Sequence, residues 1–146
     1  MFEKLNYIEL SGEKFPIKCD ILVLEKIQDK YGNLSEFENG LRGFKPNIGE
    51  DGLPERNEDG LIVGMVGVPN IKTLKDALAW MVEEGIEIKR EEGEKEPPIL
   101  SNTQLFRKVD IPPKELGEIL YGEFNRCFAR KNAETTQSQT TEKTNK

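Results

Sequence analysis

The chain has 146 residues, 33% charged and 36% hydrophobic, which suits one domain with a single modest core. Acidic residues outnumber basic ones 27 to 21 and histidine is absent, so the formal charge of -6 argues against nucleic-acid phosphate and anionic lipid as partners. Cys19 and Cys127 lie far apart, without Cys-x-x-Cys spacing, and read as reduced cysteines used as small inward-facing hydrophobes rather than as a zinc site.

The opening residues Met1 to Asn6 have no apolar run behind them, and no window approaches the length of a membrane span, so a cytoplasmic protein is expected. Tyr7 to Cys19 predicts a β-hairpin. With Gly12-Glu13 as a type II′ turn, Leu10 pairs with Phe15 and Ile8 with Ile17 on one face, and Pro16 marks an edge strand. A helix then opens at Asp20 and closes at Gly32, with Val23, Leu24, Ile27 and Tyr31 on one side and Leu22 on the opposite one. Ser35 with Glu38 has the form of a capping box for a short helix carrying Phe37 and Leu41, which ends near Gly40 or Gly43.

From residue 44 to residue 72 the character changes. Glycine, proline and acids crowd together, and Glu-Asp-Gly-Leu occurs twice, at Glu50 to Leu53 and at Glu58 to Leu61. The β-prone run from Leu61 to Val68 can pair back on Phe44 to Ile48, giving a second hairpin arm inserted in the helical domain. A segment this long without helical period is usually functional or mobile.

The plainest helix is Thr73 to Ile88, which carries the only tryptophan. Thr73 and Asp76 form a capping-box pattern, Leu74, Leu78, Met81 and Val82 make the apolar stripe, and Gly85 sits where a helix would stop. Trp80 points away from that stripe, into the arc of Asp76 and Glu83, so the helix needs neighbours on two sides. Glu83 to Glu96 carries seven acids and three bases, and residues 89–98 read as a charged linker ended by Pro97-Pro98.

Ser101 with Gln104 is a third capping-box pattern, starting a short helix with Leu105, Phe106 and Val109. Asp110 then caps a longer helix whose first turn holds Pro112 and Pro113 and whose stripe is Leu116, Leu120, Phe124 and Cys127, widened by Ile119 and Phe128. Glu123 falls inside that stripe. Residues 132–146 are polar and read as a disordered tail. The fold class is therefore mainly α with an N-terminal β-hairpin: an α+β domain over residues 1–131 with a possible arm at 44–72.

Catalytic chemistry finds little purchase in these residues. No histidine is available for acid-base work, and no phosphate-binding glycine pattern is present. The acidic group Glu50, Asp51, Glu55, Glu58 and Asp59 lacks the alternating ligands and sixth-position glycine of a calcium loop. No cofactor or metal is expected. Thr103 to Leu120 has the outline of a helix-turn-helix, which makes a small DNA-binding regulator the alternative function. Its second helix begins Pro-Pro-Lys-Glu-Leu-Gly-Glu, however, and residues 101–131 net only +2. The residues that break pattern, Leu22, Trp80 and Glu123, together with Phe124 and Phe128, are the candidate interaction surface, because aromatic anchors ringed by charge mark subunit and client contacts.

The order of elements resembles the tail assembly chaperones of long-tailed bacteriophages and prophages. The likeness is carried by the Tyr7 to Ile17 hairpin passing into a helix that ends Lys30-Tyr31-Gly32, by Leu78 to Ile88, and by Ile119 to Phe128 before a polar tail. It covers most of residues 7–131. It implies a non-enzymatic, mostly helical protein of the bacterial host cytoplasm that self-associates, binds the tape-measure and tail-tube proteins, and is absent from the mature virion. A longer form made by ribosomal frameshifting is a further implication of the likeness.

Overall fold

A computed structural model describes residues 5–94 and 100–128. The polar tail at 132–146 and the end of the charged linker, 95–98, lie outside the described residues. The architecture is α+β, as the sequence predicts: β1 (Asn6–Leu10), β2 (Glu13–Ile17), α1 (Ile21–Tyr31), α2 (Leu34–Arg42), β3 (Phe44–Pro46), β4 (Gly64–Val66), α3 (Ile71–Glu91), α4 (Asn102–Arg107) and α5 (Pro113–Arg126).

The first hairpin keeps its predicted face but not its predicted register. Leu10 pairs with Glu13, Ile8 with Phe15 and Asn6 with Ile17. The turn centres on Ser11-Gly12, both with positive φ (52° and 81°), the conformation of a type I′ rather than a type II′ turn. The left-handed serine is held by tertiary contacts: its hydroxyl donates to the Lys108 carbonyl at 2.7 Å, and Lys108 Nζ lies 2.6 Å from Glu13. Moving the pairing by two residues preserves side-chain alternation, so Ile8, Leu10, Phe15 and Ile17 are all buried. Tyr7 pairs with Pro16, a position in the ladder where the residue's N–H would point away from its partner, and Pro16 therefore removes no rung.

The hairpin lies along α3, with the Lys18 N–H donating to the Met81 carbonyl at 3.0 Å. Gly85 makes this approach possible and does not end the helix: a Cβ there would sit 2.5 Å from the Pro16 carbonyl oxygen. The helix runs on to Glu91, taking the first residues of the predicted linker with it, and Lys89 and Arg90 suit its C-terminal end. At its start the cap is Asn70, whose Oδ1 accepts from the Thr73 N–H at 3.0 Å. Thr73 is buried against Gly40 instead of capping.

Asp20 caps α1 and Gly32 (φ 84°) closes it, as the sequence indicates. The cap of α2 is Asn33, two residues before the predicted Ser35, because its side-chain Oδ1 accepts from the Glu36 N–H at 2.9 Å. Ser101 and Gln104 form a full capping box on α4. Asp110 does not cap α5; Pro112 stands at that position, with no side-chain cap. Phe37, Leu41, Leu74, Leu78, Met81, Leu116, Leu120 and Phe124 form the centre of the core, where α2, α3 and α5 meet.

Candidate functional site

Residues 44–66 leave this body as an arm. Its base is fixed by close backbone approach: the Gly67 N–H donates to the Gly43 carbonyl at 2.8 Å and Asn70 N–H to Gly40 at 2.9 Å. Gly43 has φ 73°, and a Cβ on it would lie 2.3 Å from the Gly67 oxygen, so a side chain is excluded there on both counts. The stem is the predicted pairing of 44–48 with 61–68: Phe44 pairs with Val66, Lys45 with Met65 and Pro46 with Gly64.

Beyond the stem, three strand segments meet in a ring of backbone hydrogen bonds. Asn47 N–H donates to Val63 at 2.8 Å, Val63 N–H to Glu55 at 2.9 Å, and Glu55 N–H to Asn47 at 2.9 Å. From this junction two tight loops project, closed by the bridges Ile48–Pro54 and Arg56–Ile62. The duplicated Glu-Asp-Gly-Leu builds both. Gly49 N–H donates to Leu53 and Gly52 N–H back to Gly49; Asn57 N–H donates to Leu61 and Gly60 N–H back to Asn57, each between 2.8 and 3.0 Å. Gly52 and Gly60 share φ near 81°. The repeat is therefore eight residues long, and it places Asn47, Glu55 and Val63 at equivalent corners.

The polar residues of the loops serve the turns. Asp51 Oδ1 accepts from the Leu53 N–H at 3.0 Å, and Asn57 Oδ1 accepts from the Asp59 and Leu61 N–H groups. Among the described residues, no three carboxylates or thiols converge as a metal site would need.

Between Gly43 and Pro69 no residue is buried. Eight of the thirteen exposed large apolar side chains among the described residues lie here: Ile48, Leu53, Leu61, Ile62, Val63, Met65, Val66 and Val68. Met65 and Val68 are 71% and 72% exposed, exceeded among the described large apolar side chains only by Ile21 of α1 at 78%. Sequence reasoning singled out the segment but missed this surface. The signal was present, since the run from Leu61 to Val68 has apolar residues at both odd and even positions and cannot hide them all on one face of a two-stranded stem.

The residues singled out from the sequence do not form one surface. Phe124 is buried at 2% exposure and Glu123 at 4%, so neither is available to a partner. Glu123 is a structural carboxylate: Oε1 accepts from Asn6 and from Arg126 Nε at 3.0 Å each, and Oε2 accepts from the Cys19 N–H at 3.1 Å. It thereby satisfies backbone at the end of the hairpin from within the stripe of α5. Trp80 is half-buried. Its ring stacks on Phe37 at 6.4 Å and meets Tyr31 edge-on at 6.5 Å, with Lys30 Nζ 6.0 Å above it. Beside it Tyr31 donates to Asp76 Oδ2 at 2.7 Å, and burial together with that carboxylate pushes the phenol up to about 12. Leu22 and Phe128 are exposed, at 54% and 53%, on α1 and just beyond α5.

The helix-turn-helix outline is present as α4 and α5, but the exposed face of α5 carries Lys114, Glu115, Glu118, Asn125 and Arg126, a balanced set rather than a basic one. No helix among the described residues is long and apolar enough to cross a membrane. In comparisons with known proteins, no family model, curated protein or solved structure matches the chain.

Proposed function

We propose that the chain is a non-enzymatic protein-interaction module of the tail assembly chaperone kind, and that the arm is its contact surface. The observation that carries this reading is the concentration of exposed apolar side chains on a segment that has no buried residue of its own. Covering the exposed part of such a side chain contributes about 1 kcal/mol, so eight together reach about 8 kcal/mol, on the scale of the cost of association. Leu22 with its exposed neighbour Ile21, and Phe128 apart from them, would reach only about 3 kcal/mol by the same measure. That difference favours the arm over the surface expected from sequence.

Among the described residues β3 and β4 pair only with each other, which leaves the stem two open strand edges. A partner segment could add to either edge by main-chain hydrogen bonds while its side chains meet Met65 or Val66. The acidic loops at the tip, with Glu50, Asp51, Glu58 and Asp59 all exposed, keep such a surface from associating indiscriminately. By the resemblance of the helical body, the partners are the tape-measure and tail-tube proteins, met in the bacterial cytoplasm before the virion is complete.

The test is co-expression of the full chain with the tail-tube protein and with tape-measure fragments encoded beside it. Wild type should co-purify with at least one of them, and the double variant Met65→Asp, Val66→Asp should not, while keeping its helical circular dichroism. Equal recovery of the partner by both proteins would contradict the assignment of the arm.

A further inference from the structure

Cys19 and Cys127 stand at opposite ends of the described chain, yet the fold brings them together. Cys19 ends the hairpin segment, and its N–H donates to Glu123 Oε2 at 3.1 Å. Cys127 lies one helical turn after Glu123 on the same face, at the C-cap of α5, where its own N–H donates to the Phe124 carbonyl at 3.1 Å. Both thiols are free, and Glu123, bonded to the Cys19 N–H and one helical turn before Cys127, makes the two side chains electrostatic neighbours. Cys19 is 2% exposed, whereas Cys127 is half-buried at the edge of the core.

We propose that Cys19 and Cys127 are a disulfide-forming pair, oxidised reversibly by a peroxide, which locks the hairpin–α1 junction to the end of α5. The two positions have the complementary properties such a pair requires: an accessible sulfur that meets the oxidant and a shielded sulfur that resolves it. The hydrogen bond from Cys19 lowers the Cys127 thiol and raises that of Cys19, which burial raises further. Glu123 and Asp20 oppose ionisation of both, and Lys18 favours it at Cys127.

In the first step the Cys127 thiolate attacks one oxygen of hydrogen peroxide. An S–O bond forms, the O–O bond breaks, and the departing hydroxide takes a proton to become water. In the second step the Cys19 sulfur attacks the Cys127 sulfenic acid, forming the S–S bond as the S–O bond breaks. The proton from Cys19 leaves with the oxygen as a second water. The two sulfurs lose two electrons between them and the peroxide gains two; a dithiol reductant restores the starting state.

The experiment uses the full chain, purified reduced, then treated with hydrogen peroxide and analysed by intact mass, thiol titration and non-reducing peptide mapping. The expected product is monomeric, about 2 Da lighter, with a linked Cys19–Cys127 peptide, no titratable thiol, and a melting temperature raised by about 5 °C or more. Dithiothreitol should reverse all four changes. Cys19→Ser should instead carry added oxygen on Cys127 or form a disulfide-linked dimer. Wild-type protein that gains oxygen on Cys127 with Cys19 still free, that cross-links only between chains, or that remains a dithiol would overturn the proposal.

Discussion

Cys19 and Glu123 join the two ends of the fold: a backbone N–H of the hairpin segment donates to a side-chain oxygen in the stripe of α5. The same carboxylate also receives Asn6 and Arg126. Replacing it by alanine leaves a buried N–H and an amide without their acceptor and opens a void under α5. Glu123→Ala should lose about 3 kcal/mol of stability, measured by urea denaturation, with Glu123→Gln losing clearly less because an acceptor remains.

Glu84 is held off ionisation. Burial and then the hydrogen bond to Asp20 push its carboxyl up to about 7, only partly offset by Lys26. Since this folded-state value exceeds that of an unfolded glutamate, the native protein binds the extra proton between about pH 4.5 and 7. The associated stability is fully present below that range and is lost as pH rises through 7. Glu84 is partly open to solvent, so the effect is about 1 kcal/mol after screening. Thermal melts of Glu84→Gln should match wild type near pH 5 and exceed it at pH 8.

Trp80 packs in the aromatic cluster with Tyr31 and Phe37 and keeps one edge open to solvent. Trp80→Ala should cost about 2–3 kcal/mol, below the usual range for a fully buried tryptophan because one edge is open. Partner recovery in the co-expression assay should be unchanged at temperatures where the variant stays folded. Full stability with lost binding would return Trp80 to the interaction surface.

Local signals in the sequence were read well where one chemistry admits one answer. Asp20 before an apolar stripe, Gly32 after it, and Ser101 with Gln104 all act at their own positions, because capping is decided within four residues. Thr73 failed because Asn70 offers an equally good cap and the fold needs Thr73 against Gly40. Gly85 failed because a glycine serves a helix end and a close backbone approach equally, and only the neighbouring strand distinguishes them. The hairpin face survived a wrong register because pairing moved by an even number.

The candidate site was less legible. Trp80 and Glu123 break the stripe of their helices, which in one dimension looks like exposure; in space each meets a second neighbour, Phe37 and the hairpin respectively. The arm misled in the opposite direction. Its apolar run has the composition of a buried strand, and no periodicity tells that among the described residues the stem sheet has two strands and leaves Met65 and Val66 exposed.

Hydrogen–deuterium exchange of the full chain, alone and mixed with its tail-tube or tape-measure partner, tests the central claim most directly. The arm's exposed rungs and junction, from Phe44 to Val66, should exchange fast in the free protein and slow at least tenfold in the mixture, while α3 and α5 stay as they were. Slowing confined to the surroundings of Leu22 or Phe128, or no slowing with either partner, would contradict it.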